Sequence, residues 1–554
     1  MKQAPIEFEG LARWLSAAAV VALWLCAPVA AQTPAAASPA AASPAAKVMV
    51  TAFKVSGNTL LPAAHIDDAL APFKGERTAA ELKQAALAVQ ELYARAGYGG
   101  VAALLPEQSL AGGVVSITVV EGRIARVTTS GNKQFSNDNI VASVPALAVG
   151  ATPPLKRIDA QIQLANENPA KQVEVLLQPG QRPGEIEANL AVREQPLQRW
   201  SVAADNTGTK QTGRLRASIG WQHANLWGRD HVLSAQYLTS PTKPSAVQVL
   251  SAGYRVPLYA WTSALDMYAA YSDIDGGNTA TLAGNLSFNG RGRLFGVRGT
   301  RYLQRVGDVD QRVSLGLDHR AYLNQCAISG LPNGACGPAG ESVSVQPLSF
   351  EYAAQHSSLA VGSRLFAGSA SIHHNLQLGG GRSSDASFEA VRPGAKPRYT
   401  LLRLSASGSF EVSPRWLLQA RLAAQHTPHA LVPGEQFGIG GIASVRGYDE
   451  REVAGDGGVF SSVELLAPPW ANVGGLTNAS LRLLAFADAG QVNNRRGTPC
   501  LGNHSRCTLA SVGAGARFAA GDFAARLFVA SARKAAARTE ENDLRAHVAV
   551  SYGF

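Results

Sequence analysis

The sequence predicts two α+β units followed by an all-β transmembrane barrel of sixteen antiparallel strands. Three observations carry this reading. A Gly-Asn turn recurs with the same strands and helices around it. Helical periodicity is lost from Arg199 onward. Alternation of apolar and polar residues replaces it up to Phe554. At 554 residues the chain exceeds one ordinary core. It is 16% charged and holds 55 glycines, whereas soluble domains average about 25% charged and about 7% Gly.

Residues 1–31 read as a secretory signal peptide, with Lys2 and Arg13 as the positive flank and Trp14 to Ala27 as the apolar core. Val29-Ala30-Ala31 supplies small residues before a cut at Gln32. An uncleaved anchor is the alternative, but the small-residue end and the linker behind it favour cleavage. Leu25-Cys26 lacks the small residue that a lipoprotein site needs before its cysteine. No other stretch approaches the roughly 20 apolar residues of a transmembrane helix. Residues 32–47 are rich in Pro and Ala and form a linker with little capacity to pack.

Residues 48–124 and 125–195 form the two α+β units. Val55-Ser56-Gly57-Asn58 in the first recurs as Thr129-Ser130-Gly131-Asn132 in the second. A strand precedes each turn, over residues 48–55 and 125–129, and helical sequence follows. In the first copy Thr78-Ala79-Ala80-Glu81 is a capping box. It opens a helix with Leu82, Ala85, Ala86, Val89 and Leu92 on one face, ending at Gly97. Two strands close each unit, over 99–105 and 114–120, then 172–177 and 185–192. The order is β-α-α-β-β, with weaker helices in the second copy.

The barrel spans residues 199–554. Leu215, Ala217, Ile219 and Trp221 face one way, and Arg214, Arg216, Ser218 and Gln222 the other. Leu402, Leu404 and Ala406 alternate with Arg403, Ser405 and Ser407, and the chain ends on Val548, Val550, Tyr552 and Phe554 against Ala549, Ser551 and Gly553. Such runs suit a wall with lipid outside and water inside, and the aromatic terminus, Tyr552 and Phe554, is the signature of an outer-membrane barrel. A soluble β-sandwich does not account for so long a series with arginines on the wet face. Entry and exit on the periplasmic side require an even strand number. The count reaches sixteen if residues 273–291 form one long outer loop, although 281–288 alone could pass for a strand. The loops near 325–343, 377–399, 428–457 and 491–508 then lie outside the cell.

Four cysteines remain after signal removal, Cys326 with Cys336 and Cys500 with Cys507, each pair local and in outer-loop sequence. Export places them in an oxidising medium that favours disulfides. A zinc site would want Cys-x-x-Cys spacing, which is absent. The net charge of +10 is scattered and lacks the aromatic-interleaved patch of a nucleic-acid binder. No enzyme constellation is found. Gly438 to Ala443 loosely matches a dinucleotide fingerprint without a βαβ unit, and no Gly-x-Ser-x-Gly elbow is present. His373 and His374 are neighbours on a strand and point to opposite faces. No cofactor or metal is expected. The most telling segment is Gly440-Gly441 through Val445-Arg446-Gly447-Tyr448, an arginine among loop glycines between two barrel strands.

These residues resemble the TpsB transporters of two-partner (type Vb) secretion, the haemolysin secretion/activation proteins of the BamA superfamily. The paired units resemble POTRA domains, and Val120-Glu121-Gly122-Arg123-Ile124 resembles the family's junction between them. Asp205-Asn206-Thr207-Gly208 with Thr212-Gly213 resembles its first barrel hairpin. Val445-Arg446-Gly447-Tyr448 matches the sixth-loop motif of the superfamily, and Phe486-Ala487-Asp488-Ala489-Gly490 matches the motif on its thirteenth strand. The resemblance implies an outer-membrane protein of a Gram-negative bacterium with POTRA domains in the periplasm. It implies export, without ATP, of an unfolded partner bearing an N-terminal secretion domain. Barrel-assembly machinery would insert it among outer-membrane lipid. The sixth loop would fold inward and pair Arg446 with Asp488. An assembly factor of the BamA type is the alternative; two POTRA-like units favour secretion. One departure is expected: Pro34, Pro39 and Pro44 would break the helix that plugs many family barrels.

Overall fold

A computed structural model describes residues 47–554 apart from 110–111, 211, 282–283, 324–340, 359–363, 381 and 477. The signal peptide, nearly all of the linker, the question of a plug helix and the Cys326–Cys336 pair fall outside the described residues.

In the first unit β1 (Lys47–Val50), β2 (Ala52–Ser56), α1 (Ala63–Leu70), β3 (Gly75–Thr78), α2 (Ala79–Ala96), β4 (Val101–Leu104) and β5 (Val114–Glu121) follow in order. The single strand expected over 48–55 is divided at Thr51. β1 pairs with β3, whereas β2 joins β5 and β4 in a second sheet. The division has a local cause: the amides of Thr51 and Ala52 both donate to the Gly113 carbonyl, at 2.7 and 3.3 Å, which turns the chain from one sheet to the other. Thr78 and Glu81 make the expected capping box, and Gly97 ends α2 at a φ of 95°.

The second unit comprises β6 (Arg123–Ser130), α3 (Asn137–Ala142), α4 (Leu155–Asn166), β7 (Lys171–Pro179) and β8 (Glu185–Glu194). Its sheet order, β6-β8-β7, repeats β2-β5-β4. The repetition reaches single atoms. Glu121 accepts the amides of Thr59 and Leu60 at 2.6 and 2.9 Å. Glu194 accepts those of Lys133, Gln134 and Phe135 at 2.9, 2.8 and 3.0 Å. Each carboxylate thus ties the Gly-Asn turn to the last strand of its unit. The turn glycine is sterically required: a Cβ on Gly57 or Gly131 would lie 2.1 Å from the Val119 carbonyl or 2.3 Å from that of Val192.

The barrel is closed and antiparallel. Its strands are β9 (Gln198–Asp205), β10 (Arg216–Leu226), β11 (His231–Thr239), β12 (Val247–Leu258), β13 (Ser263–Thr281), β14 (Gly284–Tyr302), β15 (Val309–Leu323), β16 (Pro347–Ser358), β17 (Arg364–Asn375), β18 (Thr400–Ser413), β19 (Trp416–His426), β20 (Gly457–Leu466), β21 (Ala479–Asn493), β22 (Arg506–Ala520), β23 (Phe523–Ala532) and β24 (Leu544–Gly553). These are the sixteen expected strands; Val343–Val345 and Trp470–Ala471 are short extensions in line with β16 and β20. The segment 273–291 is not a loop. β13 and β14 continue through it as one long hairpin paired out to Thr281 and Gly284. The strand count stands because the hairpin lengthens two strands without adding another. Closure joins β24 to β9, with Tyr552 opposite Val202. Phe554 and Trp200 exchange backbone hydrogen bonds of 2.9 and 2.7 Å. The rings of Tyr552 and Phe554 stack at 5.7 Å.

The second unit docks on the turns that follow β10 and β12. Lys171 and Asp230 form an ion pair of 2.5 Å with both side chains buried, and the Tyr259 hydroxyl donates to the same carboxylate at 2.7 Å. Burial pulls the Lys171 ammonium below its ordinary pKa, and Asp230 opposes this. Asn168 donates to the Ala224 carbonyl at 2.7 Å and Arg157 to that of Ala260 at 2.9 Å. These polar contacts hold the arm to the barrel in addition to the short chain connection between Glu194 and Gln198.

Candidate functional site

The loop between β19 and β20 folds back into the lumen. Phe437–Ile439 pairs with Val453–Gly455 as a short antiparallel stem. Beyond it Gly440, Gly441 and Gly447 adopt φ of 112°, 99° and 94°, in the left-handed region open to glycine. The turn closes through the Gly441 amide on the Val445 carbonyl at 3.1 Å and the Ser444 hydroxyl on the Gly440 carbonyl at 3.0 Å. This reversal drives Val445, Arg446 and Tyr448 against the wall.

Arg446 is 1% exposed. Its Nε and Nη2 donate to the two carboxylate oxygens of Asp488 at 2.7 Å each, and its backbone amide donates to Asp488 Oδ2 at 3.1 Å. The fork geometry is bidentate, the strong form of an arginine–carboxylate contact. Nη1 donates to Glu464 at 2.7 Å and Nη2 to the Ser462 hydroxyl at 3.1 Å. The guanidinium lies over the Phe486 ring at 3.5 Å and the Phe528 ring at 4.9 Å, which adds cation–π attraction in a desolvated setting. The two rings meet edge to face at 6.0 Å.

The neighbours of Arg446 are seated as closely. The Gly447 amide donates to His547 Nε2 at 3.0 Å. The Tyr448 hydroxyl lies 2.9 and 2.8 Å from the carbonyls of Ala510 and Lys534. Val445 packs with Ile439, Phe460, Val492 and Leu509. Gly490 makes room for this cluster: a Cβ there would approach Ile439 Cδ1 to 3.0 Å and Val445 Cγ2 to 3.2 Å. The structure thus brings all seven motif residues, Val445 to Tyr448 with Phe486, Asp488 and Gly490, into one site. Cys500 and Cys507 are bridged, with a Cα separation of 6.1 Å, and Cys507 packs against the same cluster. Tyr552 and Phe554 lie apart from it, at the barrel closure.

Sequence reasoning missed Ser462, Glu464, Phe528 and His547. Glu464 had a signal: Phe460, Ser462 and Glu464 occupy the wet face of β20, and a carboxylate there faces the lumen. Two outer contacts were also missed. Glu435 is buried and accepts the Tyr322 hydroxyl at 2.7 Å and Arg320 at 3.0 Å. Arg392, just after the short helix α5 (Asp385–Val391), pairs with buried Asp456 through a 2.9 Å bond from Nη2 and a second from Nη1. These tie the base of the inward loop to neighbouring outer segments.

A strand-closed barrel with a folded arm on its periplasmic side and an ion-paired loop in its lumen defines an outer-membrane transporter. Residues 184–518 match the haemolysin secretion/activation protein ShlB/FhaC/HecB family and residues 48–122 its ShlB-type POTRA domain, and the chain belongs to that family. It is 26% identical over 473 residues to the outer membrane transporter CdiB of Escherichia coli, covering 81% of this chain and 74% of that protein. It is 28% identical over 159 residues to the heme/hemopexin transporter protein HuxB of Haemophilus influenzae, 28% of each chain. Its fold is similar to that of solved CdiB from Escherichia coli, with a TM-score of 0.75 at 21% identity over 99% of this chain and 97% of that one. CdiB from Acinetobacter baumannii gives 0.68 at 16% identity, over 98% and 97%. The protein is a two-partner secretion transporter of the outer membrane, with its POTRA region in the periplasm.

Proposed function

We propose that the chain captures one unfolded partner protein by its N-terminal secretion domain and passes it through the barrel without nucleotide hydrolysis, Arg446 and Asp488 acting as the latch of the inward loop. The observation that carries this reading is the sixth loop itself. A segment held across the lumen by a buried bidentate ion pair at 2.7 Å sets what can pass. Among the described residues the edge strands β2, β4, β6 and β7 each have one unpaired side. They suit capture of an extended chain by strand addition. The family match favours export over barrel assembly. No chemical step is assigned to any residue, and nucleic acid is no partner. Barrel-assembly machinery inserts the chain and outer-membrane lipid surrounds its apolar face.

The test is deletion of this gene in its host, followed by protein analysis of the medium. One large protein should vanish from the medium and return with the intact gene, but not with Asp488→Asn. An unchanged medium, with outer-membrane barrels depleted instead, would point to the assembly reading.

A further inference from the structure

Below the Arg446 site, toward the periplasmic mouth, the lumen carries charge that the latch does not use. Arg482, Arg517 and Arg526 stand directly opposite one another on β21, β22 and β23. Arg482 lies on β21 with Phe486 and Asp488, an even number of residues from each, so it shares their luminal face; Arg517 and Arg526, directly opposite in turn, face the same way. Arg421 on β19 completes the group: with Arg517, Arg526, Gln419 and Glu464 it lines a recess of about 220 Å³.

Like charges directly opposite on neighbouring strands destabilise a sheet, and here three are set in a row. Neutralisation within the group is incomplete. Glu464 and Asp488 are its carboxylates, and both are engaged by Arg446. Glu464 also binds Arg517. Among the described residues neither Arg482 nor Arg526 has a carboxylate within ion-pair distance, and Arg421 lies over the Phe460 ring at 5.8 Å. A row of arginines inside a low-dielectric wall focuses a positive potential on the space between them.

We propose that this recess binds carboxylate side chains of an acidic polypeptide segment entering from the periplasm. The proposal rests on the export reading, because that reading puts a polypeptide in the lumen. The chemistry also selects. Backbone amides here are spent in the barrel ladder, so the recess offers guanidinium forks, which match carboxylate and phosphate alike. Glu464 in the lining disfavours a doubly charged phosphate over a singly charged side chain. Arg517 joins the recess to the latch, since its partner Glu464 also holds Arg446.

The test uses the full chain, purified in neutral detergent, and fluorescein-labelled hexaglutamate read by anisotropy. Hexaglutamate should bind, weaken with added salt, and lose about tenfold in affinity in Arg421→Gln and in Arg526→Gln; hexaglutamine should not bind. Heat-modifiable gel mobility, which reads the folded barrel, should be unchanged in both variants. Equal affinity in wild type and variants would overturn the proposal. So would displacement of the peptide by inorganic phosphate or phosphatidylglycerol at lower concentration than by glutamate. Peptide affinity reads the recess alone, whereas appearance of the partner in the medium reads export, so each can fail without the other.

Discussion

Asp488→Asn separates the charge of the wall partner from its shape. The carboxylate accepts three hydrogen bonds from Arg446, at 3.1, 2.7 and 2.7 Å. An asparagine keeps one acceptor oxygen and turns an NH₂ group toward a guanidinium that can only donate. With Arg446 1% exposed, water does not fill the gap. Breaking a buried pair on one side costs about 3–5 kcal/mol, and retained Glu464 places this case near 3. A loop has a response that a core lacks, namely leaving its seat. About 3 kcal/mol then lowers the seated-to-released ratio by about a hundredfold. Hydrogen exchange of the peptide covering 437–455 should accelerate by about that factor, while peptides from β22 and β23 keep their protection. Arg446→Lys should act in the same direction, because it keeps the charge but loses the fork and the stacking on Phe486. A charge swap is a poorer test, since Arg446→Asp would set a second carboxylate against Glu464. Unchanged exchange in Asp488→Asn would refute the view that the pair holds the loop.

Gly490→Leu should release the loop with the barrel intact, because even a Cβ there meets Ile439 at 3.0 Å; normal heat-modifiable mobility with rapid exchange in 437–455 is the expected pair of results. Lys171→Ala leaves Asp230 buried beside Tyr259 without its cation, a loss of about 3–5 kcal/mol, and the turn at 224–230 should exchange faster as the arm undocks. Burial pushes the Glu121 carboxyl up, but hydrogen bonds from Thr59, Leu60 and Tyr93 pull it below its ordinary value. A folded pKa below the unfolded one stabilises the first unit above about pH 4.5, a contribution lost as pH falls through the lowered value. Protection of β5, taken relative to the intrinsic exchange rate at each pH, should therefore fall on acidification in the wild type and respond less in Glu121→Gln.

Most of the barrel was legible because its wall divides lipid from water, so each spanning strand writes a period of two into the sequence. Where that division ends, legibility ends with it. β13 and β14 run on through 273–291, where lipid no longer imposes the pattern, and the sequence there reads as a loop. The break at Thr51 was hidden for another reason: the carbonyl that causes it belongs to Gly113, far along the chain. The site divides the same way. Arg446 and Asp488 stood out through their motifs. Glu464, Phe528 and His547 reach the guanidinium and the Gly447 amide from three other strands, and only the register across the barrel places them together.

The composition of the seat bears on its reversibility. An apolar loop buried at this depth would expose its greasy face to water each time it left, a penalty with no compensation outside. An arginine differs, because its guanidinium and the facing carboxylates regain hydration on release, which offsets much of the lost Coulomb attraction. The intact seat is therefore shallow, while removal of one partner leaves the other charge stranded and is severe. The apolar share is limited to Val445, the Tyr448 ring, Ile442 and their neighbours, and the Tyr448 hydroxyl still bonds to the carbonyls of Ala510 on β22 and Lys534 just past β23. Such a seat fixes the loop in one geometry without fixing it permanently, as a lumen that must clear for a passing polypeptide requires.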